Sequence, residues 1–235
     1  MEEWFSEKVL SIEDLSENVK QFRLSYRASN AFLPGQFVML ELPIESAFTT
    51  RSYSIASAPN GEGYIDLCIV HKTDGAGSGY LFNHVKVGDN IIMSLPQGKF
   101  LLEDLHYEGL VMVSTGTGIA PFRSMIRALI NQYKSLPFPL YLVFGNRTEA
   151  DMLYRAEWEE IAQEHPHFHF IPVLSRSENW AGAQGYVHEH YQPIAQNNPN
   201  YHFYLCGWSD MVKEAKNHLR EMGFSRKQVK FELYD

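Results

Sequence analysis

The segment Ser114-Thr115-Gly116-Thr117-Gly118-Ile119-Ala120-Pro121-Phe122 sets two glycines between an apolar run and a stretch of helical character. Glycine lets the backbone turn tightly and approach a ligand, and the amides that open a helix attract an anion. Pro121 reads as the first helical residue, where a missing amide costs nothing. A dinucleotide pyrophosphate suits such a turn, and so does a tight strand-to-helix connection that binds nothing. Proline stands where the common dinucleotide fingerprint has its third glycine, so this is a variant form. Earlier in the chain, Arg51-Ser52-Tyr53-Ser54 reads as a strand with Arg51 and Tyr53 on one face and Ser52 and Ser54 on the other. The ring offers a platform for a planar ligand and the guanidinium a fork for phosphate. A cross-strand tyrosine beside an exposed cation explains the same pair without a ligand.

Other chemistry-bearing residues are sparse. Cys68 and Cys206 are the 2 cysteines, too few for an iron–sulfur cluster or a structural zinc site, and no metal is expected. His165, His167 and His169 recur at strand spacing, but no cysteine or carboxylate completes a ligand set, so they read as a solvated strand entrance. Trp158-Glu159-Glu160 reads as an exposed helix face. With 20 Lys plus Arg against 28 Asp plus Glu, the net charge of −8 disfavours nucleic acid and anionic membranes as partners. No window approaches the roughly 18 apolar residues of a membrane span, and the acidic first residues do not form a secretory signal. These features predict a soluble, cytoplasmic protein.

The elements that must position these residues fall into two groups. Strands are expected over Val19–Tyr26, Gln36–Leu42, Arg51–Ala56, Tyr64–His71 and Asn90–Leu95, with turns at Pro34-Gly35, Gly88-Asp89 and Pro96-Gln97-Gly98. One short helix is expected around Ser78–Val85. Many short strands with frequent turns predict an antiparallel barrel or sandwich. From Leu110 onward strand and helix alternate: strands at Leu110–Ser114, Leu140–Phe144, Phe168–Leu174, His202–Cys206 and Val229–Leu233. Helices are expected at Pro121–Tyr133, Thr148–Glu164, Val187–Gln196 and Ser209–Met222. Thr148 with Asp151 forms a capping box, Ser209 caps the last helix and Gly223 ends it. Such alternation predicts an α/β domain with a parallel sheet covered on both faces. The expected division is 1–103 and 104–235.

Six motifs in order resemble the ferredoxin–NADP reductase superfamily of flavoproteins. Arg51-Ser52-Tyr53-Ser54 is similar to its Arg-x-Tyr-Ser flavin motif. Gly75-Ala76-Gly77-Ser78 resembles its Gly-x-x-Ser flavin-phosphate turn, and Pro96-Gln97-Gly98-Lys99-Phe100 the segment that ends the barrel. Gly116-Thr117-Gly118-Ile119-Ala120-Pro121-Phe122 resembles the nicotinamide-nucleotide loop. Gly145-Asn146-Arg147, with Asp151 and Tyr154, resembles the next strand-to-helix motif. Cys206-Gly207-Trp208 with Met211 resembles the Cys-Gly-x-x-x-Met motif.

The resemblance implies hydride transfer between NAD(P)H and bound FAD in a two-domain enzyme, with electrons passed to a separate carrier such as ferredoxin or flavodoxin. It implies that Tyr53 packs on the flavin, Ser54 lies near its N5, Arg51 and Ser78 hold its phosphates with amides of the turn that includes Gly75 and Gly77, and Ser52 is a further cofactor-binding residue. His71 is a further candidate for flavin phosphate or ribose. Thr115, Gly116, Thr117, Gly118, Pro121, Gly145, Arg147, Gly207 and Met211 are assigned to the nicotinamide nucleotide, with Cys206 as a soft wall beside the ring. The ending Phe231-Glu232-Leu233-Tyr234 resembles that of plant-type reductases, where the tyrosine covers the flavin and the glutamate aids proton movement. Ser175-Arg176 resembles a 2′-phosphate pair and favours NADPH over NADH. The alternatives are a free-flavin reductase and an electron-transfer module of a larger complex. The chain is expected to be a monomer.

Overall fold

The computed structural model describes residues 3–27, 31–44, 47–103 and 107–234. Its residue contacts separate into two units: residues up to 102 together with 120–128, and residues 103–119 together with those from 129 onward.

The first unit is built on strands β1 (Trp4–Ser16), β2 (Val19–Ser25), β3 (Phe37–Ile44), β4 (Ala47–Ser54), β5 (Tyr64–Val70) and β6 (Asn90–Ser94), with helix α1 (Ala76–Asn83) after β5. They form one sheet in the order β4-β3-β6-β1-β2-β5, paired antiparallel throughout. The two end strands meet just past β4: Ile55 bridges Leu67, and the Ala56 amide donates to the Asp66 carbonyl at 2.8 Å. That seam curls the sheet into a barrel and leaves fewer open edges. Phe22, Leu24, Val38, Leu40, Ile55, Ile65 and Leu67 fill its interior at 1% exposure or less.

β1 is absent from the sequence reading although it is the longest strand, with 13 residues. Its pairing explains why. Trp4–Lys8 pair with β6, whereas Val9–Ser16 pair with β2 after a register shift, so no single alternation runs through it. One of its buried residues is Glu7, whose carboxylate accepts a hydrogen bond from Ser25.

The second unit holds a parallel sheet of β7 (Leu110–Thr115), β8 (Leu140–Asn146), β9 (Phe168–Leu174), the short β10 (Ala183–Gln184), β11 (His202–Trp208) and β12 (Val229–Tyr234). Their order is β10-β9-β8-β7-β11-β12. The helices are α2 (Ile119–Gln132), α3 (Arg155–Glu164), α4 (His188–Asn197) and α5 (Ser209–Glu221). Central strands buried on both faces read as unbroken apolar runs, as at Leu110–Val113, all 0% exposed.

Four local expectations are corrected. Residues 148–164 are not one helix: the Thr148–Asp151 capping box closes a single 3-10 turn at Glu149–Asp151, and Tyr154, at φ 59°, starts α3 from a left-handed backbone. Ser209 is the first residue of α5 rather than its cap; Trp208 holds the cap position without a side-chain bond. Pro121 is the third residue of α2, because Gly116–Gly118 forms a 3-10 turn and the helix starts at Ile119. Trp158 is fully buried instead of exposed, with its indole N–H donating to the Leu153 carbonyl at 3.0 Å.

Candidate functional site

In the first unit the flavin-motif residues converge on β4 and the start of α1. Arg51 is exposed, and its guanidinium donates to the Thr50 carbonyl at 2.9 Å. A Cβ on Gly77 would lie 2.9 Å from the Arg51 Cγ, so the arginine stem passes over the first turn of α1. Helical amides of that turn have no intrahelical partner. Together with the cation they form an anion cradle that closes if residue 77 carries a side chain. That is the arrangement a flavin phosphate requires, and the residues present fit it. The Ser78 hydroxyl, 8% exposed, accepts from the Lys72 amide at 3.0 Å and donates to the Gly75 carbonyl at 3.2 Å. Its role here is to close the turn that presents Gly75 and Gly77.

Tyr53 is half-buried on the same face of β4 as Arg51; burial pushes its phenol up to about 12, with Arg51 opposing. The phenol therefore stays neutral near pH 7 and offers a ring, not a base. Ser54 is buried at 5%, and Ser52 is exposed on the strand's other face. His71 stacks on Phe82 of α1, centroids 4.9 Å apart.

The same unit holds a charged network that sequence reasoning missed. Asp66, 1% exposed, accepts two hydrogen bonds from Arg23, at 2.7 and 3.1 Å, and has Arg123 at 3.6 Å. Arg123 also donates to the Ala56 carbonyl at 3.1 Å and Ser124 to the Ser57 carbonyl at 2.7 Å. The residues are far apart in sequence and no short motif joins them. The one available signal was an aspartate inside the apolar run Tyr64–Val70.

In the second unit the assigned residues gather at the carboxyl ends of the parallel strands. Gly116 adopts φ +54° with open space where a Cβ would stand. Gly118 is the opposite case: an added Cβ would lie 2.5 Å from the Cys206 carbonyl oxygen and 2.6 Å from Gly207 Cα. Gly207, at φ +137°, packs as tightly on Thr115, whose Oγ1 accepts from the Trp208 amide at 3.1 Å. Gly145 is pressed against Val187 and Thr115. These contacts lock the turns after β7, β8 and β11 together and leave one backbone stretch, at Gly116, open to an anion. The nucleotide assignment fits that donor set.

Cys206 is fully buried, and its thiol is pushed up by burial and by Glu232 opposite it on β12, against a small lowering from the Gly207 amide. It remains a thiol, not a nucleophile. Met211, 9% exposed, packs in the core under β11 and shows the nucleotide little surface. Glu232 and Tyr234 are half-buried on β12, whose residues pair with Cys206 and Trp208; Asp235 lies outside the described residues. Arg147 and Arg176 are exposed, and the Arg176 amide donates to the Arg147 carbonyl at 2.8 Å. Two guanidinium-bearing residues are thus joined through their backbones. Ser175 is held beside them by its amide on the Asn146 carbonyl at 3.1 Å.

The three histidines at residues 165–169 have different surroundings. His165 is buried, His167 Nδ1 contacts the Leu136 carbonyl at 2.7 Å, and His169 stacks on Tyr141 at 4.5 Å. Among the described residues no group of three or more His, Cys, Asp or Glu is placed to hold a metal, and no helix is long and apolar enough to cross a membrane.

An antiparallel barrel with a candidate anion cradle, followed by a parallel α/β sheet with a glycine-rich turn, is the arrangement expected of a flavin- and nicotinamide-dependent oxidoreductase. The oxidoreductase FAD-binding domain family matches residues 6–101 and the oxidoreductase NAD-binding domain family residues 112–217. The chain is 34% identical to ferredoxin–NADP reductase B of Sorangium cellulosum, over 98% of each chain. It is 31% identical to an NAD(P)H-flavin reductase of Aliivibrio fischeri, over 96% of this chain and 94% of that one. It is 32% identical to the anthranilate 1,2-dioxygenase electron transfer component of Acinetobacter baylyi, over 90% of this chain and 58% of that longer protein. A ferredoxin NADP+ reductase from Neisseria gonorrhoeae with bound FAD and NADP superposes with a TM-score of 0.85 at 25% identity, over 98% of both chains. The chain belongs to the ferredoxin–NADP reductase superfamily and is an FAD- and NAD(P)-binding electron-transfer oxidoreductase.

Proposed function

We propose that this chain is a cytoplasmic NADPH-dependent reductase with resident FAD that passes electrons to a separate protein carrier, ferredoxin or flavodoxin. FAD, when bound, supplies hydride acceptance and electron release; the protein supplies binding, orientation and electrostatics. Arg51 and the Gly75–Ser78 turn hold the flavin phosphates, Tyr53 forms the ring platform, and the Ser54 hydroxyl serves N5. The Thr115–Gly118 turn holds the pyrophosphate of the dinucleotide, and Tyr234 gates nicotinamide access with Glu232 beside it.

The observation that carries the NADPH preference is the Arg147–Arg176 pair, joined through the backbone at 2.8 Å with both residues exposed. A 2′-phosphate dianion suits guanidinium donors, which neutral ribose hydroxyls do not need. Arg176→Ala is expected to lower kcat/KM for NADPH about tenfold or more, as for one charge-assisted hydrogen bond, while NADH turnover changes little. Equal losses with both nucleotides would remove the preference. A free-flavin reductase is the second reading, favoured by the 31% identity to an NAD(P)H-flavin reductase. Dialysis separates the two: retained yellow colour supports resident flavin, and loss of colour with turnover of added flavin supports the second reading.

A further inference from the structure

Helix α2 begins at Ile119, directly after the Gly116–Gly118 turn, yet its residues 120–128 belong with the barrel unit. What they do there is specific. The flavin strand β4 ends at Ser54, and the chain runs on through Ile55, Ala56 and Ser57, all buried. Buried backbone beyond a strand end has no full ladder to satisfy it, and a polar group left unpaired there is costly. On one side the barrel supplies partners: the Ile55 amide donates to the Gln36 carbonyl at 3.0 Å and the Ala56 amide to the Asp66 carbonyl at 2.8 Å. The Asp66 amide donates in turn to Ser57 Oγ at 3.0 Å. The Ala56 and Ser57 carbonyls are taken by α2 instead, through Arg123 at 3.1 Å and the Ser124 hydroxyl at 2.7 Å.

Asp66 already has a two-point partner in Arg23, at 2.7 and 3.1 Å, whereas Arg123 stands 3.6 Å from it and donates to the strand end. The carboxylate balances the second guanidinium, which lets Arg123 sit buried beside a backbone carbonyl. Ser124 is 0% exposed, so no bulk water stands ready to replace its hydroxyl on the Ser57 carbonyl. Both bonds act on the chain just beyond Ser54, the residue assigned to flavin N5. A group that meets a reacting atom tolerates little displacement: a shift of about 1 Å can cost on the order of a hundredfold in rate.

We propose that Arg123 and Ser124 are positioning residues of the reductase: they hold the end of the flavin strand, and through it the Ser54 hydroxyl, in the geometry that flavin reduction needs. This deepens the proposed function and rests on it. The test uses the purified holoprotein and single-turnover reduction of its flavin by NADPH. Ser124→Ala is expected to slow reduction about tenfold per bound FAD, with FAD content and NADP+ affinity within about twofold of wild type. Arg123→Met should act in the same direction; if it fails to fold, Ser124→Ala still decides. Because the effect travels through Ser54, adding Ser124→Ala to a Ser54→Ala protein should slow reduction by less than about a further twofold. Losses that multiply in the double variant would overturn the proposal. So would a Ser124→Ala protein that sheds FAD but reduces what it keeps at the wild-type rate, since that is a purely structural role. Wild-type flavin that NADPH does not reduce, or a Ser54→Ala protein as fast as wild type, would instead bring down the reading on which the proposal stands.

Discussion

The two units build their candidate anion sites by different physical means. In the barrel the cradle depends on a side chain, Arg51, laid over a helix start, and its glycine neighbour is in contact with the flexible stem of that arginine. In the α/β unit the turn depends on backbone packed against backbone, Gly118 on Cys206 and Gly207 on Thr115. A site made of side chains can adjust to a substitution by rotamer change, whereas one made of abutting backbones has no such freedom. The first should therefore fail gradually and the second abruptly.

The largest expected effect lies in the barrel but outside its cradle. Asp66→Ala removes the carboxylate that Arg23 and Arg123 share, and each hydrogen bond lost from a charged group costs about 1.5–3 kcal/mol. Thermal or denaturant unfolding should show it; a loss below 1 kcal/mol would mean the network is not buried in solution. Next is the contrast between glycines. Gly118→Ala is expected to cost about 1–3 kcal/mol or more and to abolish nucleotide binding, since the new methyl meets backbone at 2.5 Å. Gly77→Ala, meeting a movable side chain at 2.9 Å, should cost less than about 1 kcal/mol of stability while loosening the flavin. Comparable melting losses for both variants would erase the distinction drawn between the units.

The smallest effect is one of pH. His169, His188 and His202, all in the second unit, are lowered from 6.5, in each case first by burial; at His188 the nearby Glu214 opposes this. The unfolded chain takes up these protons first, so their contribution is present above pH 6.5 and is lost as pH falls through the depressed values. In the barrel, Tyr26 and Tyr53 are raised to about 12, chiefly by burial, so their contribution is lost as pH rises from 10 toward 12. Hydrogen exchange followed from pH 7 to 5 should show the α/β unit opening before the barrel. Uniform opening, or the barrel opening first, would contradict these assignments.

Much of this was legible in the sequence because the relevant signals are short-range. β9 begins and ends at the residues its apolar run predicts, and the Thr148–Asp151 capping box forms as its spacing suggests. The failures are equally physical. The break before α3 depends on a left-handed Tyr154, a state that tyrosine does not advertise. β1 divides its pairing between two partners and so lacks one period. The Asp66 network joins residues from three distant segments. Motifs named the glycines; only the structure shows which are open to a ligand and which are packed shut.

Reduction of resident FAD by NADPH on this chain is the proposal on which the others depend. Anaerobic titration of the desalted holoprotein, followed by flavin absorbance, tests it directly. Stoichiometric bleaching with NADPH, at a rate well above that with NADH, and reoxidation on adding ferredoxin or flavodoxin are expected. Retained flavin that neither nucleotide reduces would contradict it.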